Sequence, residues 1–252
     1  MVNFKEDERL NTLNHSCAHV MAQAVKHLYP HAKFWVGPVV KEGFYYDIDL
    51  GDNVINDEAI EAIEKEMKKI CKEGKKIYRR EVSKQEALEM FKDDEYKIDL
   101  INGLEDGNIS CYTQGDFTDL CAGPHLMSVK PIKAFKLTAS SGAYWRGNEN
   151  NKMLTRIYGT AYTKKADLEE RLKYLEEIKL RDHNRLGREM ELFTTVDVIG
   201  QGLPLLLPKG AKIIQTLQRW IEDLEDNEWG YVRTKTPLMA KSDLYKISGH
   251  WD

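Results

Sequence analysis

Apolar residues recur every three to four positions in several segments of the chain, which is the spacing of an amphipathic helix. Caps and terminators bracket two of these segments: Asn14 and Pro30 bound the first, and Asn56 and Gly74 bound the second. Ser83 opens a capping box before a shorter helix. The predicted helices cover, in chain order, residues 15–29, 57–73, 87–91, 164–190 and 211–227.

Other segments alternate apolar and polar residues or concentrate β-branched and aromatic ones, which is typical of strands. Residues 33–50 are divided by a turn at Lys41-Glu42-Gly43 and predict a hairpin. Further strands are predicted at 77–82, 96–101, 109–113, 134–139, 152–160 and 228–237. Runs of both kinds predict an α+β fold whose first part is built on a mixed sheet.

A charged amphipathic segment divides the chain into three predicted parts. Residues 1–163 hold most of the strands, 164–190 form a connector helix, and 191–252 begin a second domain. The chain has 252 residues with a net charge of −4, so no overall basic charge draws it to DNA. No apolar run reaches membrane-spanning length, and four cysteines without a C-x-x-C pair favour a reducing, cytoplasmic location.

Two short motifs, His15-Ser-Cys-Ala-His19 and Cys121-Ala-Gly-Pro-His125, carry most of the candidate chemistry. Residues four apart share a helix face, so His15 and His19 point the same way while Cys17 points away. Three imidazoles and one thiol match the ligands that zinc prefers, and an open coordination position would make the site hydrolytic. Without a metal, the same imidazoles could act as general base and acid around a bound water. Both interpretations stay open.

Three further residues are candidates for the same site. Asp119 lies two positions before Cys121, so on an extended strand both point to one face, where the carboxylate could orient a histidine or hold a substrate amine. Lys97 could stabilise a developing oxyanion, and Tyr46 could offer a hydroxyl to the substrate. The basic residues suited to an RNA phosphate are Arg146, Lys152 and Arg156.

Longer motifs, in the same order along nearly the whole chain, resemble those of the bacterial threonyl-tRNA synthetases. Besides the two histidine motifs they are Val36-Gly-Pro, Gly43-Phe-Tyr-Tyr-Asp47, Ser141-Gly-Ala-Tyr-Trp-Arg-Gly147, Asn151-Lys-Met-Leu-Thr-Arg-Ile-Tyr-Gly-Thr-Ala161 and Ser248-Gly-His-Trp-Asp252. The resemblance implies that 1–163 are the editing domain, the second additional domain of threonyl and alanyl synthetases. It also implies that 191–252 begin an antiparallel class II catalytic domain, with 229–237 as the first signature motif at a homodimer interface.

The function implied by the resemblance is removal of a wrongly attached amino acid. Serine lacks one methyl of threonine, and a contact of that size is worth about 1–3 kcal/mol, too little for accurate charging. A second site would therefore hydrolyse the ester of Ser-tRNA(Thr) at the 3′ end of threonine tRNA. By resemblance, the site is lined by four residues and assisted by three others, namely His15, His19, Cys121 and His125, with Lys97, Asp119 and Tyr46.

Whether zinc belongs to this site depends on which relatives are compared. Alanyl-type editing proteins share the two motifs and hold zinc there, whereas the threonyl type is thought to work without a tightly bound metal. We expect metal-free catalysis, with weak zinc occupancy at His15, His19, Cys121 and His125. ATP and the zinc of the catalytic domain are expected only in the intact enzyme that attaches threonine to its tRNA.

Two alternatives remain beside the synthetase fragment. A free-standing deacylase would edit mischarged tRNA in trans, but it has no use for the connector or the first class II motif. A non-catalytic tRNA-binding module would bind Ser-tRNA without hydrolysing it.

We expect that this chain does not charge tRNA. It resembles a truncated form without the family's N-terminal ubiquitin-like domain, its second and third class II motifs, or its anticodon-binding domain, and those two motifs carry ATP chemistry. Incubation with ATP, threonine and tRNA should give no threonyl-tRNA, and clear charging would contradict the expectation.

Overall fold

The computed structural model describes residues 3–107, 109–200 and 202–251, and within them the fold is α+β, as predicted. The chain divides into two compact units, Met1–Tyr174 and Leu175–Asp252. The helices are α1 (Glu8–Leu28), α2 (Asp57–Glu73), α3 (Lys84–Met90), α4 (Glu95–Asn102), α5 (Lys165–Leu180), α6 (His183–Glu189), α7 (Pro208–Asp223) and α8 (Ser242–Ile247). The strands are β1 (Lys33–Phe34), β2 (Val39–Val40), β3 (Gly43–Asp49), β4 (Ile77–Val82), β5 (Ile109–Gln114), β6 (Phe117–Leu120), β7 (Ala134–Tyr144), β8 (Met153–Tyr162), β9 (Phe193–Thr194) and β10 (Leu205–Leu206).

The first unit contains two sheets. Five strands form one sheet in the order β1-β3-β8-β7, with β2 paired to β3, and β4-β5-β6 form the other. Every strand pair among the described residues is antiparallel, so the predicted mixed sheet was wrong. The connections from β5 to β6 and from β7 to β8 are shorter than the crossover that parallel pairing requires, so these neighbouring strands pair antiparallel.

Helix α1 packs against the five-stranded sheet and is buried along its middle and C-terminal turns, from Leu13 to Val25, apart from a half-exposed His15. Its cap is Asp7, whose side chain accepts a hydrogen bond from the backbone N–H of Leu10 at 2.9 Å, so the predicted start at Asn14 was wrong. Asn14 lies inside the helix instead, because its amide bonds to the sheet rather than to the helix N-terminus.

The amide of Asn14 joins α1 to strand β8. Its Nδ2 donates to the carbonyl of Ala161 and to that of Leu10, and its Oδ1 accepts from the N–H of Ala161, all at 2.9 Å. Asn14 is fully buried, so these bonds are shielded from water. The side chain therefore takes the place of a neighbouring strand at Ala161.

Residues 95–102 form helix α4, so the strand predicted at 96–101 was wrong. The side chain of Asp94 accepts from the backbone N–H groups of Tyr96 and Lys97, which caps a helix at this point. The alternation of apolar and polar residues after Asp94 is too short to separate the two periods. The predicted caps Asn56 and Gly74 of α2 are confirmed.

The second unit holds α6 to α8 and the short pair β9–β10. The predicted single connector helix is two helices, because Asp182 caps α6 by accepting from the N–H of Arg185. The strand predicted at 228–237 was wrong: this segment forms a ladder with no described strand, and a strand needs a partner for its backbone groups. The last residue of the Ser248–Asp252 motif lies outside the described residues, and the predicted boundaries at 163 and 190 stay predictions. No described helix combines the length and apolarity needed to cross a bilayer.

Replacing Asn14 by leucine should lower the free energy of unfolding by about 3 kcal/mol. The change keeps the branching of the side chain but leaves the buried N–H and C=O of Ala161 without partners, at about 1–3 kcal/mol each. Urea unfolding followed by circular dichroism measures the loss. The matched control is Asn11→Leu, one turn earlier, where the side chain is half-exposed and makes one 3.4 Å bond; an equal loss in both variants would contradict the role of Asn14.

Candidate functional site

Three imidazoles and one thiol meet where α1 faces the segment that follows β6. Sγ of Cys121 lies 3.2 Å from Nε2 of His15 and 3.2 Å from Nε2 of His125. With His19, these residues offer ligand atoms that all lie within 4.8 Å of one another. The structure therefore brings the two motifs together, although His15 and Cys121 lie 106 positions apart in the sequence.

Backbone bonds hold the segment after β6 in place. The N–H of Cys121 donates to the carbonyl of Ser110 at 3.0 Å, and the hydroxyl of Ser110 donates to the carbonyl of Cys121 at 2.6 Å. Gly123 has φ +78°, and a Cβ there would lie 2.1 Å from Oη of Tyr112. Only glycine fits this position, which lets the chain turn back and present His125 to the thiol.

The hydrogen bonds on the outer side of two imidazoles define their tautomers. Ser16 gives its only proton to the carbonyl of Thr12, so Nδ1 of His125, 3.2 Å away, must donate to Oγ of Ser16. His15 likewise donates to the carbonyl of Pro124. Nε2 of both rings is then an acceptor facing Cys121, whose thiol has one proton for two lone pairs.

Burial keeps the cluster uncharged. It lowers the pKa of His15, His19 and His125, and neighbouring imidazoles lower those of His19 and His125 further. Burial also raises the pKa of the Cys121 thiol to about 12. At neutral pH the imidazoles are therefore neutral and the thiol is protonated.

A buried ion pair between Lys97 and Asp119 lies beside the cluster, and Tyr46, the third of the other predicted residues, bonds to it. Nζ of Lys97 lies 2.5 Å from Oδ1 of Asp119, and Tyr46 donates its hydroxyl proton to the same carboxylate. Lys97 also donates to the carbonyl of Trp35 at 3.0 Å and to Oη of Tyr46 at 3.1 Å. All three protons of the ammonium are thus engaged, so its charge acts through Asp119 and not by a direct bond to substrate. Burial, followed by the charge of Asp119, raises the pKa of Tyr46.

A cleft of about 540 Å³ opens onto this arrangement and is lined by His15, His19 and Cys121 together with the buried ion pair. Nε2 of His19 faces Oδ2 of Asp119 at 3.6 Å, and its Nδ1 is buried without a hydrogen-bond partner among the described residues. The indole N–H of Trp35, which also lines the cleft, is likewise buried and unpaired among the residues described. The hydrogen-bonding capacity of both atoms is therefore unmet within the described residues.

Sequence reasoning missed two of these residues. Ser16, which fixes His125, makes its contact across 109 residues, and Trp35 has no motif partner. The three residues suggested for a phosphate contact form ion pairs within the protein. Arg156 pairs with Asp47, and the other two pairs are Lys152 with Asp49 and Arg146 with Asp99.

The donor set fits zinc. Tetrahedral ligands at 2.0–2.3 Å from the ion lie about 3.5 Å apart, close to the 3.2 Å that separates Sγ of Cys121 from each Nε2. Two lone pairs already point inward, and the outer nitrogens donate to Ser16 and Pro124, as the outer nitrogens of metal-bound histidines do. The four residues therefore make a possible metal site.

Comparison with known proteins finds a domain match for the part of the chain that holds Cys121 and His125. Residues 109–158 match the second additional domain of threonyl and alanyl tRNA synthetases. Over 250 residues, 99% of the chain, it is 61% identical to a threonine–tRNA ligase of Clostridium botulinum (strain Alaska E43 / Type E3) and 60% identical to one of Clostridium perfringens (strain SM101 / Type A). Identity to the threonine–tRNA ligase of Staphylococcus aureus (strain JH9) is 53% over 247 residues, 98% of the chain.

The chain is thus homologous to part of the threonine–tRNA ligases. It spans about 39% of the length of the clostridial relatives and 38% of the staphylococcal one.

Protein purified without added zinc should carry far less than one equivalent of the metal. The buried thiol of Cys121 must lose its proton before it can bind an ion, and this requirement weakens affinity. Elemental analysis after dialysis measures the content, and a zinc titration should show binding that Cys121→Ser reduces and the control Cys71→Ser does not. Stoichiometric zinc that survives a chelator would contradict the expectation.

Proposed function

We propose that this chain is the editing portion of a threonyl-tRNA synthetase and hydrolyses the ester of Ser-tRNA(Thr). The observation that carries the proposal is the convergence of His15, His19 and Cys121 on an open cleft, with their imidazoles held neutral by burial. Homology to threonine–tRNA ligases over 99% of the chain supplies the substrate class.

The reaction begins with a water in the cleft. Nε2 of His15 accepts one of its protons while the thiol of Cys121 donates to Nε2 of His125, so the single thiol proton and the water together satisfy both lone pairs. The second acceptor for the water is the unpaired nitrogen of His19. General-base catalysis of this kind contributes about 10²–10⁴-fold to a rate.

The activated water then attacks the ester carbonyl carbon. A carbon–oxygen bond forms to the water, and the proton taken by His15 passes to the ribose oxygen as the ester bond breaks, giving serine and free tRNA. Asp119 orients His19 from 3.6 Å, and Lys97 balances the charge of that carboxylate, so the buried pair positions the ring without adding net charge.

Discrimination against threonine follows from the space needed by the water. The water must lie beside the β-carbon of the bound amino acid, within reach of His15 and His19. The additional methyl of threonine would occupy that volume, so threonyl-tRNA would bind without a correctly placed water. Exclusion by one methyl suffices because a site can reject a larger substrate more strongly than a smaller one.

If zinc binds, His15, His19, Cys121 and His125 would hold it, and it would supply Lewis-acid activation of water. The proposal extends to the whole enzyme: attachment of threonine with ATP, threonine tRNA as partner, a homodimer, and a cytoplasmic location.

The test is hydrolysis of Ser-tRNA(Thr) compared with Thr-tRNA(Thr). Wild-type protein should release serine quickly and threonine slowly, and His15→Ala should lower the rate of serine release by about 10²-fold or more. The matched control is His31→Ala, at an exposed histidine, which should keep the wild-type rate. Binding of Ser-tRNA without hydrolysis would favour the non-catalytic module, and equal release of both amino acids would contradict editing.

A further inference from the structure

Two of the basic residues considered for a phosphate contact are already neutralised within the protein. Arg156 makes two bonds to the buried Asp47, at 2.6 and 2.8 Å, and Lys152 lies 2.6 Å from the buried Asp49. With a net charge of −4 for the chain, a bound polyanion needs unpaired positive charge somewhere else.

Such charge is concentrated in a cavity between α2 and the segment that leads into β7. The cavity has a volume of about 320 Å³ and no carboxylate in its lining. Its polar members are four lysines, Lys68, Lys72, Lys130 and Lys133, which we call the lysine pocket. All four are exposed, and none forms an ion pair with another residue in the part of the chain that the structure describes.

The floor of the lysine pocket carries no compensating charge. It is formed by Ile132, Phe135 and Cys71, all buried. Burial raises the pKa of the Cys71 thiol to about 12, so it stays a neutral thiol. The lysine stems can lie along this apolar floor with their ammonium groups in water, which holds four like charges together at a cost that an anion would relieve.

Four exposed lysines elsewhere in the first unit lie beside carboxylates. Lys69 lies 2.7 Å from Glu66, and Lys92 lies 2.8 Å from Glu89. Lys75 pairs with Glu73 at 3.5 Å and Lys165 with Glu169 at 3.0 Å. These paired lysines lie outside the pocket, whereas the lysine pocket gathers in one cavity four lysines that are unpaired within the described residues.

We propose that the lysine pocket binds the phosphodiester backbone of tRNA. The inference rests on the proposed function for the identity of the RNA. Flexible ammonium groups recognise charge without fixed geometry, as contacts to a nucleic-acid backbone do, whereas the pocket lacks the bidentate arginine or buried polar group that would select one small anion.

The experiment measures binding of uncharged, fluorescently labelled threonine tRNA by anisotropy over a series of salt concentrations. The variant K68Q/K72Q/K130Q/K133Q should bind at least about 10-fold more weakly at low salt, and its plot of log K against log salt should be shallower by about 3, close to one unit per lost phosphate contact. The matched control K69Q/K75Q/K92Q/K165Q removes the same charge from paired lysines and should keep the wild-type slope.

Equal slopes for the two quadruple variants would overturn the proposal, because the effect would then be one of net charge alone. The double variants K68Q/K72Q and K130Q/K133Q, each expected to lose about half of the slope change, keep the test valid if the quadruple variant unfolds. Inorganic phosphate and anionic lipid vesicles serve as further probes: lysine-dependent binding of either one, with unchanged tRNA affinity, would also overturn it. Uncharged tRNA contains no aminoacyl ester, so failure of editing and failure of this binding site are separate results.

Discussion

The burial of α1 is the constraint on which both the fold and the site depend. From Leu13 to Val25 this helix lies almost wholly inside the first unit, so its polar residues need partners from distant parts of the chain. Asn14 finds its partner on β8, Ser16 bonds to the segment that carries His125, and Gln23 bonds to Asp116. Each bond that satisfies a buried polar group also fixes a neighbouring element, so α1 organises the domain around itself.

The chemistry of the cluster follows from its burial and from the fact that one thiol proton faces two acceptor nitrogens. Outer hydrogen bonds turn the acceptor nitrogens of His15 and His125 toward one protonated sulfur, and burial keeps both rings neutral in the resting protein. The remaining nitrogen lone pair needs a partner. A water can donate a proton to it, and a metal ion can accept its electron pair, which explains why one set of residues suits both kinds of chemistry.

Sequence reasoning succeeded where the physical signal is local or where a motif is long. The four-residue spacing of His15 and His19 placed both rings on one face, and the caps of α2 were set by Asn56 and Gly74. It failed where tertiary bonds override local preference. Asparagine is a common helix cap, but the side chain of Asn14 bonds to β8 instead. The alternation after Asp94 resembles a strand because so short a segment does not separate the helical period from the strand period. The contact of Ser16 with His125 could not be predicted, since no local pattern encodes a partner so far along the chain.

The bond between Asn14 and Ala161 has a consequence for solubility. Strand β3 is paired with β8 only as far as Gly159, so the outward backbone groups of Ala161 would otherwise form a short open edge beside an apolar surface. Such edges recruit strands from other molecules and begin aggregation. By covering this short edge with one carboxamide, α1 keeps the backbone of Ala161 from pairing with a strand of another molecule.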